Sequence, residues 1–175
     1  SKERKREVDP LQYGRVFDKA KEDEIRKIDK THGAVKVIKR SEWGGIVMKG
    51  RYVCTFKPSE VFNPAVCPYT GRPMSPDPRI PAGHEPRSRW CVKGFMEPTH
   101  EHDDDSSPTV CKESVKLALT LMATKRWLAH SIDARSAFLQ TPENIRPVAV
   151  EAPPEARLED DEIWLLIKPL YGLRS

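Results

Sequence analysis

The stretch His130-Ser131-Ile132-Asp133-Ala134-Arg135-Ser136-Ala137-Phe138-Leu139 decides how the chain reads. Leu128–Ile132 is short and largely apolar, and it predicts a strand that runs directly into Asp133. A carboxylate at the carboxyl end of a buried strand presents two oxygens to a divalent cation at the rim of a sheet. The same position also suits an ordinary turn or N-cap aspartate, so position alone leaves both readings open.

Upstream of that stretch, Pro108-Thr109 opens a helix. Val115, Ala118, Leu119 and Met122 form one apolar face and Leu117 and Leu121 a second, which predicts burial on most sides. Glu101–Ser107 reads as a polar loop; its Asp103-Asp104-Asp105 run fits a solvated surface better than a cation site. Arg87–Phe95 predicts a strand ending at Gly94, with Arg87, Arg89 and Lys93 projecting from one face. Such a row either holds phosphates or keeps an exposed face soluble. Eight of the 16 prolines fall in residues 58–86, which excludes helix there and predicts a long loop. Ile46–Phe56 carries two short β-prone runs around Lys49-Gly50, and Ala34–Ile38 alternates as a strand. Residues 16–30 predict an amphipathic helix with Phe17, Ala20, Ile25 and Ile28 on one side, stopped at Gly33. Downstream, Pro147–Glu151 and Ile163–Lys168 are strand candidates separated by Pro153-Pro154 and an acidic turn. The mixed order of helices and strands, with no internal repeat, predicts an α+β fold.

At 175 residues the chain is the size of one ordinary domain. Its hydrophobic content of 38% excludes collagen, coiled coil and full disorder. Apolar runs are only a few residues long, so no membrane-spanning helix is expected. The opening Ser1–Arg6 is charged and reads as no signal peptide; the start on Ser1 rather than Met reads as a segment of a longer product. Net charge is +4, unevenly spread: +5 over residues 1–40, +4 over 41–96, −5 over 97–113 and zero thereafter. A basic first half suits a polyanionic partner, although a solvated mixed surface accounts for the total equally well. Cys54, Cys67, Cys91 and Cys111 form no CxxC pair, which favours free thiols in an intracellular protein. Cys67, His84, Cys91, His100, His102 and Cys111 are zinc-ligating residue types, but their spacings match no zinc pattern, and scattered thiols and exposed histidines are the better account.

Taken together, these segments resemble the reverse transcriptase of copia-type retrotransposon Pol polyproteins, in order from about residue 17 to 175. Arg51-Tyr52-Val53-Cys54-Thr55-Phe56-Lys57 is similar to the family's Arg-Trp-Val-φ-x-x-Lys strand. Arg87-Ser88-Arg89-Trp90-Cys91-Val92-Lys93-Gly94-Phe95 is similar to its Lys-Ala-Arg-Leu-Val-Ala-Lys-Gly-Phe. Ser107-Pro108-Thr109-Val110 and the helix after it resemble the Ser-Pro-Val-Val segment. Ile132–Gln140 resembles Met-Asp-Val-Lys-Thr-Ala-Phe-Leu-x-Gly, polymerase motif A. Pro147–Pro154 resembles Val-Tyr-Met-x-x-Pro-Pro, and Ile163–Arg174 resembles the start of motif B, ending in Leu-Tyr-Gly-Leu-Lys.

The resemblance implies an incomplete right-hand polymerase of α+β class: a charged lead-in over 1–15, a fingers region over 16–127 with a long Pro-rich insert at 58–86, and the start of the palm over 128–175. Asp133 would be the first Mg²⁺-binding carboxylate and catalytic residue, and Ala134 would add a backbone carbonyl to the metal. Phe138 would be the steric gate against a ribose 2′-OH. Arg87, Arg89 and Lys93 would meet the triphosphate or template backbone, and Tyr171 and Gly172 would lie beneath the incoming nucleotide. The partners implied are an RNA or DNA template-primer, deoxynucleoside triphosphates and the remainder of the Pol polyprotein, with no membrane. The family acts in a cytoplasmic particle or the nucleus.

Departures from the pattern are equally specific. Thr141-Pro142 stands where the family often has Gly, and the Pro-rich insert is longer than the usual fingers turn. The family's Tyr-Val-Asp-Asp box, which supplies two more carboxylates, is not among these residues. The expectation is therefore that the fragment is inactive alone and leaves apolar faces exposed. A non-enzymatic nucleic-acid-binding relic of a transposon is the alternative.

Overall fold

A computed structural model of the chain describes residues 7–96, 110–130, 132, 137–140 and 147–173. The chain enters through Asp9, whose side chain accepts a hydrogen bond from the Leu11 N–H (3.0 Å) and caps a 3-10 turn over Pro10–Phe17. Gly14, at φ 53°, kinks that turn. Helix α1 follows over Asp18–Arg26 and widens into a π-turn over Lys27–Thr31. Gly33, at φ 55°, ends it where the sequence placed the stop. Phe17, Ile25 and Ile28 are buried, the face that the 16–30 periodicity predicts.

Among the described residues, six strands form two sheets. Strands β1 (Val35–Lys39), β2 (Val47–Met48), β5 (Val148–Val150) and β6 (Glu162–Leu166) make a four-stranded sheet in the order β1-β6-β5-β2. The β1–β6 and β6–β5 pairs are antiparallel and β5–β2 is parallel. Strands β3 (Gly50–Pro58) and β4 (His84–Val92) form a separate antiparallel hairpin, in register from Gly50↔Val92 to Pro58↔His84. The connection over 59–83 is the predicted Pro-rich loop. Pro58 and Pro86 are nevertheless in strands, contrary to the loop assignment. In a two-stranded sheet each strand is an edge, where a proline's missing N–H is tolerated.

α1 packs across β4, and the two sheets share one core of Ile25, Ile28, Met48, Trp90, Val92, Leu139, Val150, Trp164, Leu166 and Leu170, together with Ala34. The seat of Trp90 depends on Gly50. A Cβ at Gly50 would overlap the indole ring, so only glycine lets the ring lie against the strand backbone. Tyr52 crosses the same ring edge-on, centroids 4.9 Å apart, and its hydroxyl donates to Glu155 Oε2 (2.7 Å). Lys21 Nζ lies 5.3 Å from the Tyr52 ring centroid. Burial, followed by the hydrogen bond to Glu155, pushes the Tyr52 phenol well above its ordinary pKa. These contacts tie α1, the hairpin and the turn before β6 together.

Two further expectations are overturned. The helix predicted after Pro108-Thr109 is α2 (Lys112–Lys125), with Cys111 Sγ accepting from the Ser114 N–H (3.4 Å) at its start. None of its residues is buried; Val115, Leu117, Leu119 and Leu121 are exposed. Burying several apolar sides needs facing apolar surface, and the shared core is closed by α1, the strands and Leu139 without α2. The strand predicted over Leu128–Ile132 is also absent: residues 127–130 and 132 carry no regular structure, and Leu128 and Ile132 are 84% and 91% exposed. A strand needs a neighbour for its hydrogen bonds, and none of the described strands pairs with the described residues of 127–132. A four-residue helix, α3 (Ala137–Gln140), follows and buries Leu139 in the core. Glu101–Ser107 lies outside the described residues. Among those residues, no helix is long and apolar enough to cross a membrane.

Gly50→Ala is expected to destabilise the fold by about 1–3 kcal/mol, because the Trp90 ring must shift in a packed core. Gly44, where an added Cβ meets nothing within 4 Å, is the control. Gly44→Ala should stay within about 0.5 kcal/mol of the parent in urea denaturation. Equal losses in the two variants would show that the indole seat is not what Gly50 provides.

Candidate functional site

The pleat of β4 sorts its residues onto two faces. Ser88, Trp90 and Val92 point into the protein, while Arg87 and Arg89 are exposed. Arg87 is held by its strand neighbour Glu85, Nε to Oε1 at 2.7 Å. Arg89 has a different partner: its Cζ lies 5.1 Å from the centroid of the Tyr171 ring. This is a cation–π contact on the ring face, which leaves the edge of the guanidinium open to a further acceptor. Lys93 is not in the same strand row, as the sequence reading had it. It sits one residue beyond β4, half-buried, with its backbone N–H donating to the Lys49 carbonyl (2.8 Å).

Tyr171 belongs to a turn anchored by buried Leu170, where the Leu173 N–H donates to the Leu170 carbonyl (3.3 Å). The turn is clamped to the end of β4 through backbone alone. The Val92 N–H donates to the Tyr171 carbonyl (2.7 Å). A Cβ on Gly172 would overlap the Val92 carbonyl, and a Cβ on Gly94 would overlap the Gly172 carbonyl. Gly172 also has φ 90°, a conformation side chains rarely adopt. Two glycines that are far apart in sequence therefore make one close backbone crossing. Leu139 of α3 belongs to the same buried cluster as Val92 and Leu170.

Of the residues singled out from sequence, Arg89, Lys93, Tyr171 and Gly172 gather at this crossing, and Arg87 lies two residues along β4. Phe138 lies in α3, and its side chain is outside the described part. Asp133 and Ala134 lie outside the described residues, as do His100, His102 and Asp103–Asp105. Among the described residues, no group of three or more His, Cys, Asp or Glu is placed to hold a metal ion. All four cysteines are free. From sequence, Gly94 reads as a strand end and as part of the Lys93-Gly94-Phe95 similarity; its close approach to Gly172 comes from the fold.

The family model for reverse transcriptase (RNA-dependent DNA polymerase) matches residues 82–175, more than half of the chain. That stretch holds β4, the Leu139 anchor and the Tyr171-Gly172 turn. The chain belongs to the reverse transcriptase family. No curated protein and no solved structure matches it. The mixed helix and sheet content agrees with the α+β class predicted from sequence.

Gly172→Ala combines backbone strain with overlap onto Val92. Gly71, at φ 68° with open space around it, isolates the strain. Gly71→Ala should cost about 1 kcal/mol and Gly172→Ala at least about 2 kcal/mol more. Chemical denaturation of the two variants checks this; similar losses would contradict the crossing.

Proposed function

We propose that the chain is the fingers and opening palm of a copia-type, right-hand RNA-directed DNA polymerase, part of a Pol polyprotein. Supporting this reading most directly, the two ends of the family-matched region meet: the basic end of β4 and the Tyr171-Gly172 turn. In a polymerase of this class those segments face the incoming nucleotide and the template-primer.

The roles follow from the chemistry of each residue. Asp133 would bind the catalytic Mg²⁺ with its carboxylate, and Ala134 would add its backbone carbonyl. Two bound Mg²⁺ ions would supply charge neutralisation at the primer 3′-oxygen and the triphosphate. Arg89 is the basic residue best placed for phosphate. Arg87 is already neutralised by Glu85, whereas Arg89 is oriented by the Tyr171 face with its donors at the edge. Lys93 would add charge beside it. The Gly94–Gly172 crossing would set a rigid floor beneath the nucleotide sugar and base. Phe138 would occupy the space of a ribose 2′-OH and so select deoxynucleotides. These residues by themselves contribute one of the carboxylates that two-metal transfer needs, so we expect no extension from the 175-residue polypeptide alone.

The test uses the complete polymerase. Asp133→Asn should abolish primer extension and leave template-primer affinity within about twofold, because binding rests on the basic surface. Phe138→Ala should raise ribonucleotide incorporation. Arg89→Ala should weaken template-primer binding evenly across sequences and reduce the salt slope of log K by about one. Extension that survives Asp133→Asn would remove Asp133 from the metal site and leave binding without catalysis as the surviving function.

A further inference from the structure

The polymerase reading makes no use of the Pro-rich connection, and its Arg72–Pro78 segment precedes the family-matched residues 82–175. Covalent geometry alone restricts this segment. Pro73, Pro76 and Pro78 each hold φ at about −65°. Arg72, Ser75 and Asp77 are each followed by proline and so are pushed out of the helical region. Of Arg72–Pro78, Met74 alone escapes both restrictions. The conformation these restrictions favour is polyproline II, with about three residues per turn.

The structure carries that period. Met74, 43% exposed, and half-buried Asp77 line a cleft between this segment, α1 and the start of β4. Arg72, Pro73, Ser75, Pro76 and Pro78 are not in its wall, and all are exposed. A three-residue turn thus gives one inward row, Met74 and Asp77. It gives two outward rows, Arg72 with Ser75 and Pro73 with Pro76. The inward row is tied down. The Met74 N–H donates to the Ala65 carbonyl (2.8 Å), and the Asp77 carboxylate accepts from Arg79 Nε (2.9 Å) and Nη2 (2.6 Å). The Arg72 carbonyl adds an anchor by accepting from the Cys67 N–H (2.9 Å). The outward rows are uncommitted. Among the described residues, the carbonyls of Pro73, Ser75 and Pro76 accept no backbone hydrogen bond, and the Arg72 guanidinium has no ion pair.

We propose that Arg72–Pro76 is a docking segment for a partner protein with an aromatic-lined polyproline groove of the SH3 kind, flanked by acidic side chains. Pro73 and Pro76 have the Pro-x-x-Pro spacing that such a groove reads. The segment is already extended and anchored from behind, so little ordering cost opposes binding. The free guanidinium of Arg72 sets the charge of the partner, because a carboxylate beside the groove gains a charge-assisted hydrogen bond.

The test titrates the full chain with a panel of purified SH3 domains that carry acidic residues beside the groove, followed by calorimetry and amide NMR. At least one domain should bind saturably and shift the amide resonances of Arg72, Met74, Ser75 and Asp77. Pro73→Ala combined with Pro76→Ala should weaken that complex at least about tenfold. Arg72→Glu, which keeps both prolines, should also weaken it at least about tenfold, and it decides the matter if the double variant disturbs the loop. Pro64→Ala, on the cleft side of the same connection, should stay within about twofold. No saturable binding by any domain, affinity unchanged by Arg72→Glu, or shifts centred outside residues 72–77 would overturn the proposal.

Discussion

The close backbone crossing of Gly94 and Gly172 is the constraint on which the arrangement of the site depends. Neither glycine tolerates a side chain, and the Val92–Tyr171 hydrogen bond locks the crossing. Because Val92 and Leu170 are buried on either side of it, the crossing also joins the β3–β4 hairpin to the core of the four-stranded sheet. Arg89 reaches Tyr171 as a consequence: the strand pleat aims it outward, and the crossing brings the ring beneath it. A functional surface is thus set by backbone approach, with side chains added afterward.

A second cluster supports the first from behind. Gly50 admits the Trp90 ring, Tyr52 packs on that ring, and Glu155 accepts from the Tyr52 hydroxyl. α1 joins through Lys21 over Tyr52 and through Phe17, whose ring packs 5.2 Å from that of Phe56. The basic face of β4 is therefore backed by a packed layer that holds Arg87 and Arg89 in place.

Local chemistry made much of the fold legible. The apolar face of α1, the stop at Gly33, and β1, β3, β5 and β6 all follow from period and punctuation within a few residues. Leu128–Ile132 failed because a strand is completed by a neighbour, and pattern says nothing about whether one is present. The helix after Pro108-Thr109 is present as α2, but its predicted burial is not, for the same reason: apolar residues announce a need for burial, not its fulfilment. Pro58 and Pro86 read as loop by residue type, yet an edge strand accommodates proline because its outward N–H has no partner to lose. At the site, motif order singled out Arg89, Lys93, Tyr171 and Gly172, while the close approach of Gly94 to Gly172 arises from a contact between distant segments that no local pattern encodes.

Under the polymerase proposal, the end of β4 and the Tyr171-Gly172 turn form one nucleotide-facing surface. Photo-crosslinking of an azido-deoxynucleoside triphosphate to the complete polymerase on template-primer, followed by peptide mapping, tests it most directly. The account predicts labelled peptides from both Arg87–Lys93 and Ile167–Leu173, with labelling competed by unmodified deoxynucleotide. Competable labelling that spares both segments would contradict it.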